Sequence, residues 1–304
     1  MLNNPTATMT PTTRGILCMI AGTILLASQD AVTKLLTDTY SPGEVMAIRG
    51  ACSFGVLAVL VQREGGWRRV KAKKPGLVWL RALFGFATSL VIVTAFQKLP
   101  LADAMAVLFA APLFVALLQG PVLGEKVGGA RWAIIWLGFG GVLIMVRPSP
   151  DGIDWLMLWP LAAAALSAVR DTVTRKLAGQ DSSTTVLLYT QIAATVGGAF
   201  FLSMETPIPE WWQVWAFLAA GSLVGLAHYL TISAFHLAEG ATVAPFRYFS
   251  LIWGVVLGFT IWGDIPDIWI IAGTLLVVGS GLAMAQWERW KHKARSGATW
   301  RKAN

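Results

Sequence analysis

Five basic residues lie inside long apolar stretches of this chain. They are Lys34, Arg49, Arg81, Arg170 and Arg247, and they are accompanied by Asp30, Asp171 and His228. A charge near the centre of a bilayer costs about 2.5 to 3.5 kcal/mol on insertion scales, so such groups should face one another or a watery cavity. We therefore expect them to lie along a functional path through the molecule.

The guanidinium groups are the members of this set that best suit a bound substrate. Arginine pairs bidentately with a carboxylate, which favours an amino acid or another organic anion as cargo. Arg49 and Arg247 are as compatible with a cavity as with a structural role. Arg81 lies near the start of its apolar stretch and could belong to the membrane interface instead. Arg170 is the weaker candidate, because Asp171 is adjacent to it.

Two pairs of opposite charges recur in the two halves of the chain. Asp30 and Lys34 are four residues apart, as are Asp171 and Arg175, so each pair shares a helix face and can form an ion pair. We hypothesise that the two pairs help to form gates at opposite mouths of the path. The alternative is that each pair neutralises itself at a helix end or anchors a lipid headgroup.

The composition identifies the elements that must position these groups as membrane helices. Of 304 residues, 56% are hydrophobic and 13% are charged, whereas a soluble domain carries about 25% charged residues. A span needs roughly 20 apolar residues. Ten windows qualify, at about 14–36, 44–61, 77–97, 101–123, 130–146, 155–177, 184–202, 211–235, 241–262 and 267–286.

An internal repeat divides the ten spans into five plus five. Ala95-Phe96, Ala102 and Gly124-Glu125 reappear 139 positions later as Ala234-Phe235, Ala241 and Gly263-Asp264, and the segment from Asp30 to Lys34 reappears 141 positions later as Asp171 to Arg175. Lys and Arg are concentrated in alternate loops and in the tail, which predicts that both termini are cytoplasmic. Because five is odd, the halves should be inverted repeats around a central cavity.

Positions related by the repeat should face the same central space. Ser89 corresponds to His228, so Thr88, Ser89, His228 and Tyr229 are candidate lining residues. A single histidine in a membrane span is equally compatible with packing. Phe109 and Tyr248 also correspond, and aromatic walls there would suit a flat or apolar substrate group, unless these rings merely pack or face lipid.

Two prolines are candidate hinges. Pro112 falls within the fourth predicted span and Pro245 opens the ninth. Proline removes a backbone hydrogen bond and kinks a helix, which would allow one half-helix to bend during a transport cycle. Proline is also common in membrane helices for structural reasons.

Several functions are disfavoured by what the sequence lacks. No G-x-x-x-x-G-K-[ST] loop is present, so energy should come from gradients and not from ATP. The three histidines lack metal spacing, and we expect no metal and no cofactor. A membrane-embedded enzyme remains the alternative from another class, although no nucleophile with a base at a recognisable spacing is present.

The architecture and its motifs carry a family resemblance. Ten spans in a five-plus-five repeat, with Gly124-Glu125 ahead of the glycine-rich fifth span, resemble the EamA-type family of the drug/metabolite transporter superfamily. In the second half Gly263-Asp264 has an aspartate in place of the usual glutamate. The resemblance implies a secondary exporter of small metabolites in a bacterial inner membrane, with exporters of aromatic and neutral amino acids the most similar subgroup; the alternative in the same fold is export of another metabolite or a drug.

The predicted organisation follows from the repeat and the loop charges. It consists of a cytoplasmic segment (1–13), the first repeat (14–146), a linker (147–154), the second repeat (155–286) and a basic cytoplasmic tail (287–304). The expected partners are a small-molecule substrate and the lipid bilayer, without nucleic acid. GxxxG motifs permit close helix contact, so a homodimer and a monomer are equally compatible with the sequence.

Overall fold

A computed structural model describes residues 10–67, 70–123, 129–146, 155–177, 181–238 and 243–303, and all regular structure in these segments is helical. The helices are α1 (Pro11–Leu36), α2 (Pro42–Arg63), α3 (Pro75–Lys98), α4 (Leu101–Leu108), α5 (Ala111–Leu123), α6 (Gly129–Val146), α7 (Leu158–Leu177), α8 (Ser183–Ala199), α9 (Trp211–Leu237), α10 (Phe249–Trp262) and α11 (Ile268–Ala303), with short 3₁₀ helices at Trp155–Met157 and Ala244–Tyr248. A helix therefore occupies each of the ten windows predicted from the sequence.

The helices have the surface expected in a lipid bilayer. Five are long and apolar enough to cross a membrane, namely α1, α2, α3, α7 with the preceding turn, and α9, and four further helices are apolar but shorter. Large apolar side chains point outward from the middle of several helices: Leu83, Trp136 and Ile252 are 60%, 67% and 60% exposed. Exposure of these apolar side chains is unfavourable in water and favourable in the hydrocarbon core of a bilayer. The chain is an all-helical polytopic membrane protein.

Helix starts are set by local capping. Ser41 accepts a hydrogen bond from the Glu44 amide at 3.4 Å, and the Glu44 carboxylate accepts one from the Ser41 amide at 2.8 Å, which is a capping box before α2. Ser182, its counterpart in the repeat, accepts from the Thr185 amide at 3.2 Å before α8. Each serine satisfies one of the four amides that a helix start leaves unpaired.

The fourth span is broken, which corrects the prediction of one helix over 101–123. Helix α4 ends at Leu108 and α5 begins at Ala111, with Pro112 as its second residue. Proline has no amide hydrogen and its ring clashes with the carbonyl four residues earlier, so it is tolerated in a first turn and not inside a helix. In the second half, Pro245 lies in the 3₁₀ helix that precedes α10.

Helix packing follows a recurrent pattern across the two halves. Each contact made by one half has an equivalent in the other half. Helix α1 packs on α9 as α7 packs on α3, and α2 contacts α9 as α8 contacts α3. Likewise, α1 contacts α10 as α7 contacts α4 and α5. The remaining major contacts are α2 with α8, α4 with α10 and α6 with α11. These helix contacts are therefore the same when each helix is replaced by its counterpart in the other half.

The contact between α6 and α11 depends on glycine. A Cβ atom placed on Gly141 would lie 2.7 Å from the Gly273 carbonyl oxygen, and one on Gly273 would lie 2.5 Å from the Gly141 carbonyl oxygen. No larger residue fits at either position without moving a helix. Small residues at such crossings allow membrane helices to gain van der Waals contact.

Hydrogen bonds join the first half to the second at both ends of α2. Near the start of α2, Glu44 accepts a hydrogen bond from the Thr206 hydroxyl at 2.6 Å. At the other end, Glu64 accepts hydrogen bonds from Ser182 at 2.8 Å and from Thr184 at 2.5 Å. Contacts between the two halves therefore lie on either side of the space enclosed by the bundle.

Candidate polar cavity between the two halves

A polar cavity lies between α2, α3, α7, α8 and α9. It is lined by Arg49, Arg81, Gly85, Ser89, Arg170, Leu187, Thr190, Gln191, Ala194, Val224 and His228. Four of the sequence-predicted site residues, namely Arg49, Arg81, Ser89 and His228, are among them. The two halves contribute jointly, since α2 and α3 belong to the first and the other helices to the second.

Arg49 crosses from the cavity wall to helix α1. Its side chain is buried, with 8% of the residue exposed, and its Nη1 donates to the Thr33 hydroxyl at 3.2 Å. The same hydroxyl accepts from the Gln29 amide at 2.8 Å, and that amide also donates to Asp30 at 3.1 Å. Among the described residues, no carboxylate lies within ion-pair distance of Arg49. The hydrogen-bond partner of this guanidinium in the described residues is therefore a neutral hydroxyl.

Arg81 is held in the same manner from helix α3. Its Nε donates to the Thr174 hydroxyl at 3.0 Å and its Nη1 donates to the Thr190 hydroxyl at 2.5 Å. Thr174 is the counterpart of Thr33 in the repeat, so each half presents one threonine of α1 or α7 to an arginine of the first half. Two guanidinium groups thus reach the cavity without a carboxylate partner in the described part of the chain.

Arg170 differs from the other two arginines because it carries its own counter-charge. Its Nε and Nη2 each lie 2.9 Å from the Asp171 Oδ1 atom, and Nη2 also donates to Ser167 at 2.7 Å. An arginine with a bonded carboxylate is close to neutral as a unit. The excess positive charge of the cavity therefore comes from Arg49 and Arg81, and this arrangement is suited to an anionic group.

His228 lines the cavity from α9. Its Nδ1 lies 2.9 Å from the Val224 carbonyl oxygen, which can only accept, so Nδ1 carries the proton. In the neutral ring Nε2 is then an acceptor. Ser89 lines the cavity from α3. A substrate donor such as a hydroxyl or an ammonium group would find an acceptor at Nε2.

The other predicted lining residues lie outside this cavity. Thr88 is buried and donates to the Phe84 carbonyl of its own helix at 2.7 Å, as hydroxyls in membrane helices commonly do. Tyr229 is 36% exposed and Arg247 is exposed. Phe109 and Tyr248 pack against one another, with ring centroids 5.3 Å apart. Spacing along a helix placed these residues near the site but did not fix the direction of their side chains.

The predicted Asp30–Lys34 ion pair is not formed. Lys34 Nζ donates to the carbonyl oxygens of Phe96 at 2.9 Å and Leu99 at 2.5 Å, and it lies 5.3 Å from the centroid of the Trp262 ring. The last carbonyls of a helix lack intrahelical partners and carry partial negative charge, so the end of α3 attracts this cation. In the second half, Asp171 pairs with Arg170, and the side chain of Arg175 lies outside the described residues.

Sequence reasoning undervalued Arg170 and missed Thr190 and Gln191. The charge next to Arg170 made it a weak candidate, whereas the ion pair with Asp171 holds it at the cavity wall. Thr190 is the counterpart of Arg49 at an offset of 141 residues, and Gln191 is the counterpart of Gly50. The repeat therefore contained the signal for Thr190, since its partner was already a candidate.

Comparisons with known proteins agree with this architecture. A model of the EamA-like transporter family matches residues 13–147. The chain is also 30% identical to a riboflavin transporter of Vibrio cholerae over 245 residues, which cover 79% of this chain and 78% of that protein. The chain belongs to the EamA-like transporter family. This EamA-like transporter is accordingly not an enzyme.

Other relatives of this EamA-like transporter differ in cargo and direction. It is 24% identical to an S-adenosylmethionine uptake transporter of Rickettsia conorii, over 88% of this chain and 91% of that protein. It is also 24% identical to a pseudopaline exporter of Pseudomonas aeruginosa, over 90% of this chain and 96% of that protein. A crystal structure with 19% identity superposes with a TM-score of 0.63 over 91% of this chain and 98% of the other, which establishes a shared fold.

Proposed function

We propose that this EamA-like transporter moves small metabolites that present a carboxylate to Arg49 and Arg81, with amino acids as the predicted class and export as the predicted direction. The observation that carries the proposal is the pair of guanidinium groups that reach the cavity and bind only hydroxyls of the described residues. A substrate carboxylate would supply a counter-charge in direct contact with these groups. Aromatic or neutral side chains of the cargo would then contact the apolar part of the lining.

An alternating-access cycle between inverted repeats is the mechanism we infer. Its support is the helix-contact pattern, which is unchanged when the halves over 14–146 and 155–286 are exchanged. Cavity residues also correspond across the halves: Ser89 with His228, Gly85 with Val224, and Arg49 with Thr190. Transporters built from inverted repeats hold their substrate between the halves and expose it by rocking one half against the other.

The contacts at the two ends of α2 are where such rocking would act. Opening either mouth requires separation of the first half from the second at Glu44–Thr206 or at Glu64–Ser182. We propose that the Glu44 end faces outward and the Glu64 end faces the cytoplasm, in a bacterial inner membrane with both termini inside. The excess of basic residues in the Glu64-side loops supports this orientation.

Counterflow in proteoliposomes containing only this protein tests the proposal. Vesicles are loaded with unlabelled L-phenylalanine, L-threonine, riboflavin or S-adenosylmethionine, and uptake of the labelled compound is followed. We expect saturable exchange of amino acids, a large loss in Arg49→Gln, and a partial loss in Arg49→Lys, because an ammonium group cannot bind a carboxylate bidentately. Arg63→Gln, on an exposed position of the same helix, is the matched control.

Two results would overturn the assignment. Exchange of riboflavin alone, with an affinity insensitive to Arg49 and Arg81, would remove the carboxylate as the recognised group. Absence of exchange for every amino acid, in sealed vesicles with folded protein, would remove the predicted substrate class.

A further inference from the structure

The two halves differ at the residue that precedes the half-buried aspartate of α1 and of α7. In the second half Arg170 lies next to Asp171 and forms an ion pair with it at 2.9 Å. In the first half the corresponding residue is Gln29, whose amide donates to Asp30 at 3.1 Å. An amide satisfies one lone pair of a carboxylate and leaves its charge uncompensated. Equivalent aspartates in the repeat therefore have different electrostatic environments.

Arg49 is linked to Asp30 through the side chains of Thr33 and Gln29, although it does not touch the carboxylate. Thr33, which Arg49 binds at 3.2 Å, follows Asp30 by three residues on the same face of α1, about 4.5 Å along the axis. Helices packed on α1 carry Arg81 and Lys98 on α3, Asp103 on α4, His228 on α9, and Arg247 in the 3₁₀ helix that precedes α10. Of the guanidinium groups with a described partner, Arg81 binds Thr174 and Thr190 of the second half, whereas Arg49 binds α1 itself.

The same guanidinium lines the cavity, so it links the substrate to Asp30. Asp30 itself does not line the cavity, whereas Arg49 does. A substrate carboxylate that pairs with Arg49 compensates the positive charge that, among the described residues, is linked to Asp30 through Thr33 and Gln29. Two anions would then share one cation in a region with little water, and a proton on the aspartate relieves that repulsion.

The inference rests on the function proposed above. We propose that Asp30 binds one proton when a substrate carboxylate pairs with Arg49. Substrate and proton then bind together and cross the membrane together. The proton comes from the solution on the side to which the cavity is open, adds to a carboxylate oxygen of Asp30, and leaves with the substrate on the other side. Asp171 does not take this role, because Arg170 neutralises it. His228 does not either, because a proton there would add a further positive charge among guanidinium groups.

Co-binding has a defined thermodynamic consequence. If the substrate favours protonation of Asp30, protonation of Asp30 favours the substrate by the same factor. The affinity for a carboxylate should then rise as the pH falls, by up to about tenfold per pH unit for a single linked proton. Because the proton crosses with the substrate, an inward proton gradient favours uptake. The export predicted above therefore requires an outward substrate gradient that exceeds the proton gradient.

The test measures proton uptake on binding of L-phenylalanine to the full-length protein in weakly buffered detergent solution, together with counterflow between pH 5.5 and 8.5. Wild type should take up close to one proton per substrate at a pH at which Asp30 is ionised in the free protein. Asp30→Asn, which imitates the protonated residue, should take up none and should show at every pH the high affinity of wild type at low pH. A purely structural role for Asp30 predicts a loss of affinity instead.

Two further variants use the asymmetry between the halves. Gln29→Arg gives Asp30 the partner that Asp171 already has, so proton uptake should disappear while exchange continues. Asp171→Asn, whatever its effect on affinity, should keep proton uptake per bound substrate. If Asp30→Asn is poorly folded, Gln29→Arg carries the test alone.

The possible outcomes separate this inference from the function on which it rests. Proton uptake that persists in Asp30→Asn, or in a folded Gln29→Arg protein, overturns the role of Asp30 while phenylalanine exchange still supports the transporter assignment. Absence of phenylalanine binding and exchange in wild type overturns both.

Discussion

The rings of Phe109 and Tyr248 lie with their centroids 5.3 Å apart and their planes inclined by 38°. The two residues are 139 positions apart, which is the offset of the internal repeat. Residues related by a two-fold axis can touch each other only if they lie close to that axis. Each ring also marks a discontinuity in its helix, since Phe109 follows α4 and Tyr248 ends the 3₁₀ helix before α10. We therefore expect this contact to lie close to the axis that would relate the proposed inverted halves.

The aromatic contact should couple the stabilities of the two positions. In a double-mutant cycle with Phe109→Ala and Tyr248→Ala, we expect a coupling free energy of about 0.5 to 1.5 kcal/mol, because aromatic pairs contribute this much beyond the area they bury. Reversible unfolding in detergent micelles measures it. Additive effects of the two substitutions would show that the rings stabilise their surroundings independently.

The close crossing of α6 and α11 makes a matched glycine comparison possible. Gly141→Ala should destabilise the protein by about 1 to 3 kcal/mol, because its Cβ would lie 2.7 Å from the Gly273 carbonyl oxygen. Gly140→Ala should leave the free energy of unfolding unchanged or slightly higher, since a Cβ there has open space and alanine favours a helix. Thermal unfolding in detergent distinguishes them. Equal effects would contradict the packing account.

Lys34 should stabilise the end of α3 in addition to any role in gating. Lys34→Met removes charged hydrogen bonds to the Phe96 and Leu99 carbonyls, and we expect a loss of about 1.5 to 3 kcal/mol in the free energy of unfolding. Lys98→Met, at an exposed position on the same helix end, should change it by less than about 0.5 kcal/mol. A transport defect in a Lys34→Met protein of normal stability would assign Lys34 to the gate alone.

The orientation can be tested with a matched pair of exposed serines. After replacement of the free cysteines Cys18 and Cys52, Ser203→Cys should react with a membrane-impermeant maleimide in intact spheroplasts, because the loop between α8 and α9 is predicted to face outward. Ser182→Cys should react only after permeabilisation. The reverse pattern would place both termini outside.

The helices and their ends could be predicted because their causes are local. An apolar run of about 20 residues, a serine before a helix, and a proline in a first turn act through neighbours in sequence. The repeat added long-range information, since Ser89 and His228 were expected together and both line the cavity. The break before Pro112 was predicted as a kink, and the structure shows the helix interrupted there.

The partners of the charged side chains were decided by the tertiary structure. Lys34 could reach Asp30 from its own helix, yet it binds carbonyls 62 and 65 residues away, because the end of α3 lies within reach of its flexible side chain. The sequence places Asp171 beside Arg170, and the structure shows this carboxylate bonded to Arg170. Arg49 and Arg81, in contrast, bind hydroxyls of remote helices in the described part of the chain. The sequence by itself determined where charges enter the membrane. Packing of the helices decided which groups bind Lys34, Arg49 and Arg81, because these contacts depend on distances of a few ångströms between helices remote along the chain.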